Sequence, residues 1–357
     1  MDIQVISLSD PLWSDSLKKL RHDIYHLPEY LCLEANRLRT IAEAILISDG
    51  EKMLFVPYLV RSCEDVVPDG TDEQEIFDVL SPYAYAGILL SEAAINTPGF
   101  PDAALDNIKQ EFRSRGICSA FFRLHPILNE NFTTAFKAGT LTINGKTVSV
   151  DLRISNLWSK TRKGHRSTIN KCKRMGMIAK MVPFSDYLDE FVAIYEETMG
   201  RVSATTGFYS FNSEYFTQMN DLLGASLHLC IVEYENQVAC AGLYTECCGI
   251  VQSTLGGTKN QFVHLSPSSL ETDYARTWAQ ERGNEFLHLG GGLGGSMEDK
   301  LYIFKAGFSE LSHPFMTLRL IADEEKYHHL VKLRAKFLGV TASALLESGF
   351  FPAYRSC

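Results

Sequence analysis

The 357-residue chain has no apolar run near the roughly 20 residues that a membrane-spanning helix needs. Its first residues, MDIQVISLSDPLW, lack the basic-then-apolar pattern of a secretory signal. A cytoplasmic location is expected. The nine cysteines are odd in number, and none lies in a C-x-x-C pair. That argues against a secreted disulfide framework and against a cysteine-ligated metal, so most should be buried thiols acting as small hydrophobes. The ten histidines show no metal-ligand spacing with a carboxylate, and neither a G-x-S-x-G elbow nor a Cys–His nucleophile pair occurs. No metal is expected. A Pro/Gly/Ser-rich linker is missing too, although the length exceeds what one hydrophobic core normally spans.

Acid is missing from one stretch. The net charge is −9, which opposes wholesale coating of nucleic acid. Residues 152–185, however, hold no Asp or Glu, while Lys160, Arg162, Lys163, Arg166, Lys171, Lys173, Arg174 and Lys180 are basic. Trp158, Ile169, Cys172 and Met175 form an apolar stripe through this region, so the cations can simply be its solvated face. The alternative is attraction of a polyanion: a tRNA, a nucleotide-linked precursor, or an anionic membrane surface.

What is present is an internal echo. Each half reads as helix, hairpin, helix, strand. In the first, AEAILIS and KMLFVPYLV flank Asp49-Gly50, a hairpin turn signal. Pro57 cannot donate a ladder bond and so implies an edge or bulged strand. A helix over 101–115 and the strand ICSAFFRLH follow. In the second half a helix over 185–200 precedes the hairpin SLHLCIVEY/VACAGLYTE and a strand from Ile250. A helix over 267–282 follows, with Leu270, Tyr274 and Trp278 expected on its buried face. The strand EFLHL then enters Gly290-Gly291-Gly292. This order predicts an α/β (α+β) class of mixed sheets flanked by helices. The boundary falls at 146–151, giving domains 1–150 and 151–320, with a final helical segment, 321–357, packing back on the first.

The run at 287–308, LHLGGGLGGSMEDKLYIFKAGF, carries the chemistry. Glycines at a strand end let backbone N–H groups approach an anion, or merely form a connector. Asp299 and Lys305 follow, the lysine bracketed by Phe304 and Phe308. A partly desolvated ammonium there can hold a phosphate or a developing oxyanion.

This segment resembles the signature of the FemAB-like acyltransferases. HLPEYLCLEA, SPYAYAG, FFRLHPIL, TVSVDL with the basic helix, YEETMGRVSA, FYSFNSEYF, VACAGLYTE and LSPSSL extend the resemblance over nearly the whole chain. It implies two GNAT-like domains, each a mixed twisted sheet flanked by helices. It also implies transfer of an acyl or aminoacyl group to an amine of a bacterial cell-envelope precursor, a peptidoglycan peptide or a polysaccharide amino sugar. No bound cofactor is implied; the co-substrate is acyl-CoA or aminoacyl-tRNA. Carried over residue by residue, Lys305 touches the substrate or acyl group, and Arg166 touches a ligand. Arg201 contacts acceptor phosphates or else pairs with the C-terminal dipole of its helix, and Tyr83 and Tyr85 lie on a loop facing the cleft or else on an exposed turn. Asp299 is a candidate base. Tyr209, Phe211 and Tyr244 line the acceptor cleft or else belong to the core. Two features depart from the pattern: no coiled-coil arm is inserted, and the pyrophosphate loop of acetyl-CoA enzymes is replaced by LGGTKNQFVHLSPSS, which weakens acyl-CoA as donor. The rival readings are an acyl-CoA-dependent N-acetyltransferase of a small metabolite or nucleotide sugar, and an inactive module that binds glycan precursor or RNA.

Overall fold

Local chemistry sets the first elements. β1 (Asp2–Ser7) pairs antiparallel with β2 (Ile41–Asp49), which turns at Gly50 (φ 63°) into β3 (Lys52–Ser62). β4 (Phe77–Leu80) and the short β5 (Leu89–Leu90) pair with the far edge of β3, and β6 (Ile117–Arg123) runs parallel to β4. The structure, a computed structural model, describes residues 1–66, 75–137, 140–202 and 211–356. It divides into two units, Met1–Asn144 with Phe315–Cys357, and Gly145–Pro314.

β2 is apolar almost throughout because both its faces are covered. Ile45 and Ile47 pack in one cluster with Ile108 and Phe112 of the helix Phe100–Ser114. Ala44 and Leu46 pack in another with Trp13, Leu31 and Ala35. Pro57 does not mark an edge or a bulge. β3 is interior, and its register with β2 is unbroken from Ile41↔Val60 to Asp49↔Lys52. Pro57 lies between the segments that pair with β5 (Leu54, Phe55) and β4 (from Leu59), so its missing N–H costs no bond on that edge.

The second unit holds β7 (Leu141–Asp151, from Gly145), β8 (Ile178–Val182), β9 (Leu227–Tyr234), β10 (Gln237–Cys247), β11 (Ile250–Thr258) and β12 (Phe286–Gly290). They order as β7-β12-β11-β10-β9-β8, and only β11 and β12 are parallel. Glu235 and Asn236 both adopt positive φ in the two-residue turn between β9 and β10. Glycines admit helices to both faces. A Cβ on Gly242 would sit 2.3 Å from Glu271 of the helix Ser268–Glu281. Gly242 pairs with Gly256, so the next residue, Gly257, faces the opposite side, where a Cβ would meet Thr198 and Ile194 of the helix Leu188–Arg201. β13 (Ser312–Ile321) returns the chain to the first unit, where Thr317 to Ile321 pair with β6. Each unit is thus a mixed sheet with helices, the α/β class that the sequence predicts.

The helix Ser268–Glu281 corrects one expectation. Leu270 is buried, but Tyr274 is exposed and Trp278 only half-buried. Glu271, Asp273 and Arg276 take the inward positions instead. Cys63, Cys118, Cys172, Cys230 and Cys240 are buried thiols, Cys32 and Cys247 are half-buried, and Cys248 is exposed. Among the described residues no helix is long and apolar enough to cross a membrane.

Candidate active site

The parallel pair β11–β12 parts early. Ile250, Val251 and Gln252 pair with Phe286, Leu287 and His288, and the pairing stops there. β11 then bulges at Thr254, whose hydroxyl donates to the Leu243 carbonyl at 2.9 Å, and runs on to Thr258. From Ser253 to Gly257 its edge away from β10 has no strand partner among the described residues. An extended amide-bearing chain can pair with such an edge.

β12 ends in the glycine run. Gly290 leaves the strand at φ 78°, a conformation that favours glycine. Gly292 is fixed by close approach, since a Cβ there would lie 2.4 Å from Asp299 Oδ1 and 2.9 Å from Tyr302 Cβ. Asp299 is the N-cap of the helix Lys300–Lys305: Oδ1 accepts from the N–H groups of Leu301 (3.0 Å), Tyr302 (3.1 Å) and Leu293 (3.1 Å). These bonds, Leu293 foremost, hold its pKa below the ordinary carboxylate value. Asp299 thus holds the position of a cap, and the three N–H donors on Oδ1 make its carboxylate a weaker base than an ordinary one.

Lys305 closes the arrangement. Its Nζ donates to the Gly291 carbonyl at 2.7 Å. The residue is half-buried as a whole, but its ammonium end is enclosed, and burial pulls its pKa down to about 8 against the attraction of Asp299. With one N–H on Gly291, two remain as donors. Lys305, Asp299, Gly290, Gly291 and Gly292 thus form one assembly.

Other candidates are placed differently. Tyr244 and Phe211 are buried, which corrects their assignment to a cleft wall. Phe211 packs with Tyr195, Tyr215 and Phe216. Tyr244 donates to Glu271 Oε1 at 2.7 Å inside the core. Arg201 is exposed at the end of its helix and donates to the Thr258 carbonyl (3.0 Å) and the Asn260 side chain. Arg166 is half-buried, and its guanidinium meets no hydrogen-bond or ion-pair partner among the described residues. In the first unit, the Tyr83 N–H donates to Glu34 and its carbonyl accepts from Tyr30, while the Tyr85 ring packs on Tyr25 and Phe315. Tyr209 lies outside the described residues.

Three features escape sequence reasoning. His165 of the basic helix Lys163–Arg174 lies against Gly307, so the F-K-A-G-F glycine is a packing requirement. Arg276 is buried and donates to Asp273 (2.6 Å) and Thr161 (2.7 Å). Glu271 is wholly enclosed beside Cys230, Cys240 and Tyr244, and burial raises its pKa to about 7. The one sequence signal for Glu271 is Gly242, whose missing side chain makes room for the carboxylate.

No family model matches the chain, and no curated protein matches it in sequence. Solved structures do. FemX superposes with a TM-score of 0.67 at 12% identity, covering 92% of this chain and 99% of its own. L-PGS from Bacillus licheniformis gives 0.57 at 14% identity, covering 95% of this chain and 100% of its own. The C-terminal domain of a protein from Agrobacterium fabrum, provisionally named a lysylphosphatidylglycerol synthetase, gives 0.56 at 14%, covering 95% and 98%. The chain has the FemAB-like fold.

Proposed function

We propose that the chain is an acyltransferase that moves an acyl or aminoacyl group from an activated donor to an amine of a cell-envelope precursor. The observation that carries this reading is Lys305: an enclosed ammonium tied to the end of β12, with donors to spare, at the strand end beyond the point where β11 and β12 part. The amine attacks the donor's ester or thioester carbonyl; the C–N bond forms, and the alcohol or thiol leaves with the proton. Negative charge on the carbonyl oxygen is met by Lys305 N–H groups and by backbone N–H groups of the glycine run. Holding both reactants together supplies most of the remaining acceleration.

An aminoacyl-tRNA donor is favoured over acyl-CoA by LGGTKNQFVHLSPSS in place of a pyrophosphate loop, and the unpartnered Arg166 offers a guanidinium to a donor phosphate. The similar lysylphosphatidylglycerol synthetase domain, named for an aminoacylated product, points the same way. The test is a single-turnover assay that offers radiolabelled aminoacyl-tRNA and acyl-CoA separately to a pool of peptide, amino-sugar and lipid-linked amines. Transfer from acyl-CoA alone removes the tRNA reading; transfer from neither, with binding retained, leaves a module without catalysis.

A further inference from the structure

We propose that His165 is a positioning residue for Lys305: its neutral imidazole, wedged over Gly307 and bonded to Phe304, fixes the turn that aims the lysine at Gly291. The ring fills space that only glycine leaves, since a Cβ on Gly307 would lie 2.3 Å from Cε1, 2.4 Å from Nε2 and 2.7 Å from Nδ1. Nε2 lies 2.8 Å from the Phe304 carbonyl oxygen, and Nδ1 lies 3.3 Å from the Arg162 guanidinium. A carbonyl can only accept and a guanidinium can only donate, so the ring is the neutral Nε2–H tautomer. Phe308 meets it edge-on at 4.8 Å, and Phe304 lies 5.3 Å away. The Arg162 N–H adds a 2.8 Å bond to the Gly307 carbonyl.

Lys305 is thus flanked on both sides by residues that the basic helix holds. The charged groups facing the imidazole are Arg162 from its own helix and Arg276 from Ser268–Glu281; both oppose a second proton, as does burial, the largest cause of its lowered pKa. Arg276 in turn is neutralised by Asp273 and sits over the Phe308 ring at 5.6 Å. The assembly is built for a wedge that stays uncharged. Loss of the wedge frees the 304–308 turn, lets water reach the ammonium and slackens its bond to Gly291.

The importance of Lys305 rests on the acyl-transfer reading, but the test needs no substrate. Trace acetic anhydride labels lysines in proportion to their free-amine fraction, and peptide mass spectrometry over a pH series gives the Lys305 titration against N-acetyl-lysine. Wild type is expected to titrate near 8, and H165A to return toward the ordinary value of about 10.4, lowering Lys305 labelling at pH 8 by roughly tenfold or more. H165Q, which can still donate to Phe304, is expected to stay near wild type. A folded H165A with the wild-type Lys305 titration overturns the proposal. Should H165A not fold, the ring nitrogens of the wild type decide: 15N shifts must report the neutral Nε2–H tautomer at pH 7, and an imidazolium or an Nδ1–H tautomer there overturns it.

Discussion

The ammonium of Lys305 lies 2.7 Å from the carbonyl oxygen of Gly291, fourteen residues earlier in the chain. This one bond ties the strand end to the short helix after it and leaves a positive charge where burial makes it costly. The cost shows as a pKa near 8. A structural lysine gains nothing from such a setting, whereas one that must meet a transient oxyanion gains strength from the low dielectric.

If that ammonium stabilises the oxyanion, K305M loses about 10²–10³ in single-turnover rate on the productive donor. The pH dependence follows from the same shift. The active form is protonated, so its contribution is full below 8 and falls as pH rises through that value. The ratio of wild-type to K305M rate between pH 6 and pH 9.5 cancels titration of the attacking amine. That ratio should drop above about 8; a flat ratio would remove Lys305 from the electrostatic role.

Asp299 separates a cap from a base. Asn caps helices about as well as Asp, so D299N is expected to keep near wild-type turnover, whereas removing a general base costs about 10²–10⁴. D299A, which loses the cap to Leu293, Leu301 and Tyr302, should lower stability by about 1 kcal/mol and turnover with it. A D299N variant as slow as K305M would restore the general base.

What the sequence discloses depends on how local the cause is. Asp49-Gly50 announces its hairpin because the cause is local: Gly50 supplies the positive φ (63°) of the two-residue loop Gly50-Glu51 between the paired Asp49 and Lys52. Asp323 and Gly339 bound the helix Glu324–Leu338 by equally local caps. Lys305 and the glycine run are legible as a group because they lie within one short segment. His165 is not. Inside a basic run it reads as one more polar residue, and only contact with Gly307, distant in sequence, makes it a wedge. The buried face of Ser268–Glu281 inverts the usual rule: an aromatic stripe outranks acids as a core signal, yet Tyr274 faces out while Glu271 and the Asp273–Arg276 pair face in. The Asp273–Arg276 pair is local, but Glu271 faces in because Gly242 makes room for it and Tyr244 donates to it, and Arg276 because Thr161 accepts from it. No short window of sequence contains those partners.

Arg166 bears on the donor. Lys173 and Lys180 of the basic segment are engaged by Asp273 and Glu233, but the Arg166 guanidinium is unpartnered among the described residues. With a tRNA donor, log(kcat/KM) should fall linearly with log salt, and R166A should make that slope shallower by roughly one phosphate contact. With a low-charge donor both variants would show the same weak salt response. Equal steep slopes for wild type and R166A would place the phosphate contacts elsewhere.

Glu271 gives the last prediction, on stability. Its carboxyl accepts from Tyr244 at 2.7 Å and Thr272 at 3.2 Å, and burial raises its pKa from 4.5 to about 7. Below about 4.5 the group is protonated folded and unfolded alike, and no linked penalty exists. Between 4.5 and 7 the folded protein holds the extra proton, so stability falls as pH rises. Above 7 the folded state carries a buried carboxylate, at a cost of about 3 kcal/mol from the 2.5-unit shift. E271Q keeps an oxygen for Tyr244 and cannot ionise. It should melt close to wild type at pH 4.5 and several degrees higher at pH 8, the difference opening between those values. Differential scanning calorimetry of the two proteins across pH 4.5–8.5 reads this directly, and parallel melting curves would show that the carboxyl finds a cation or water when it ionises.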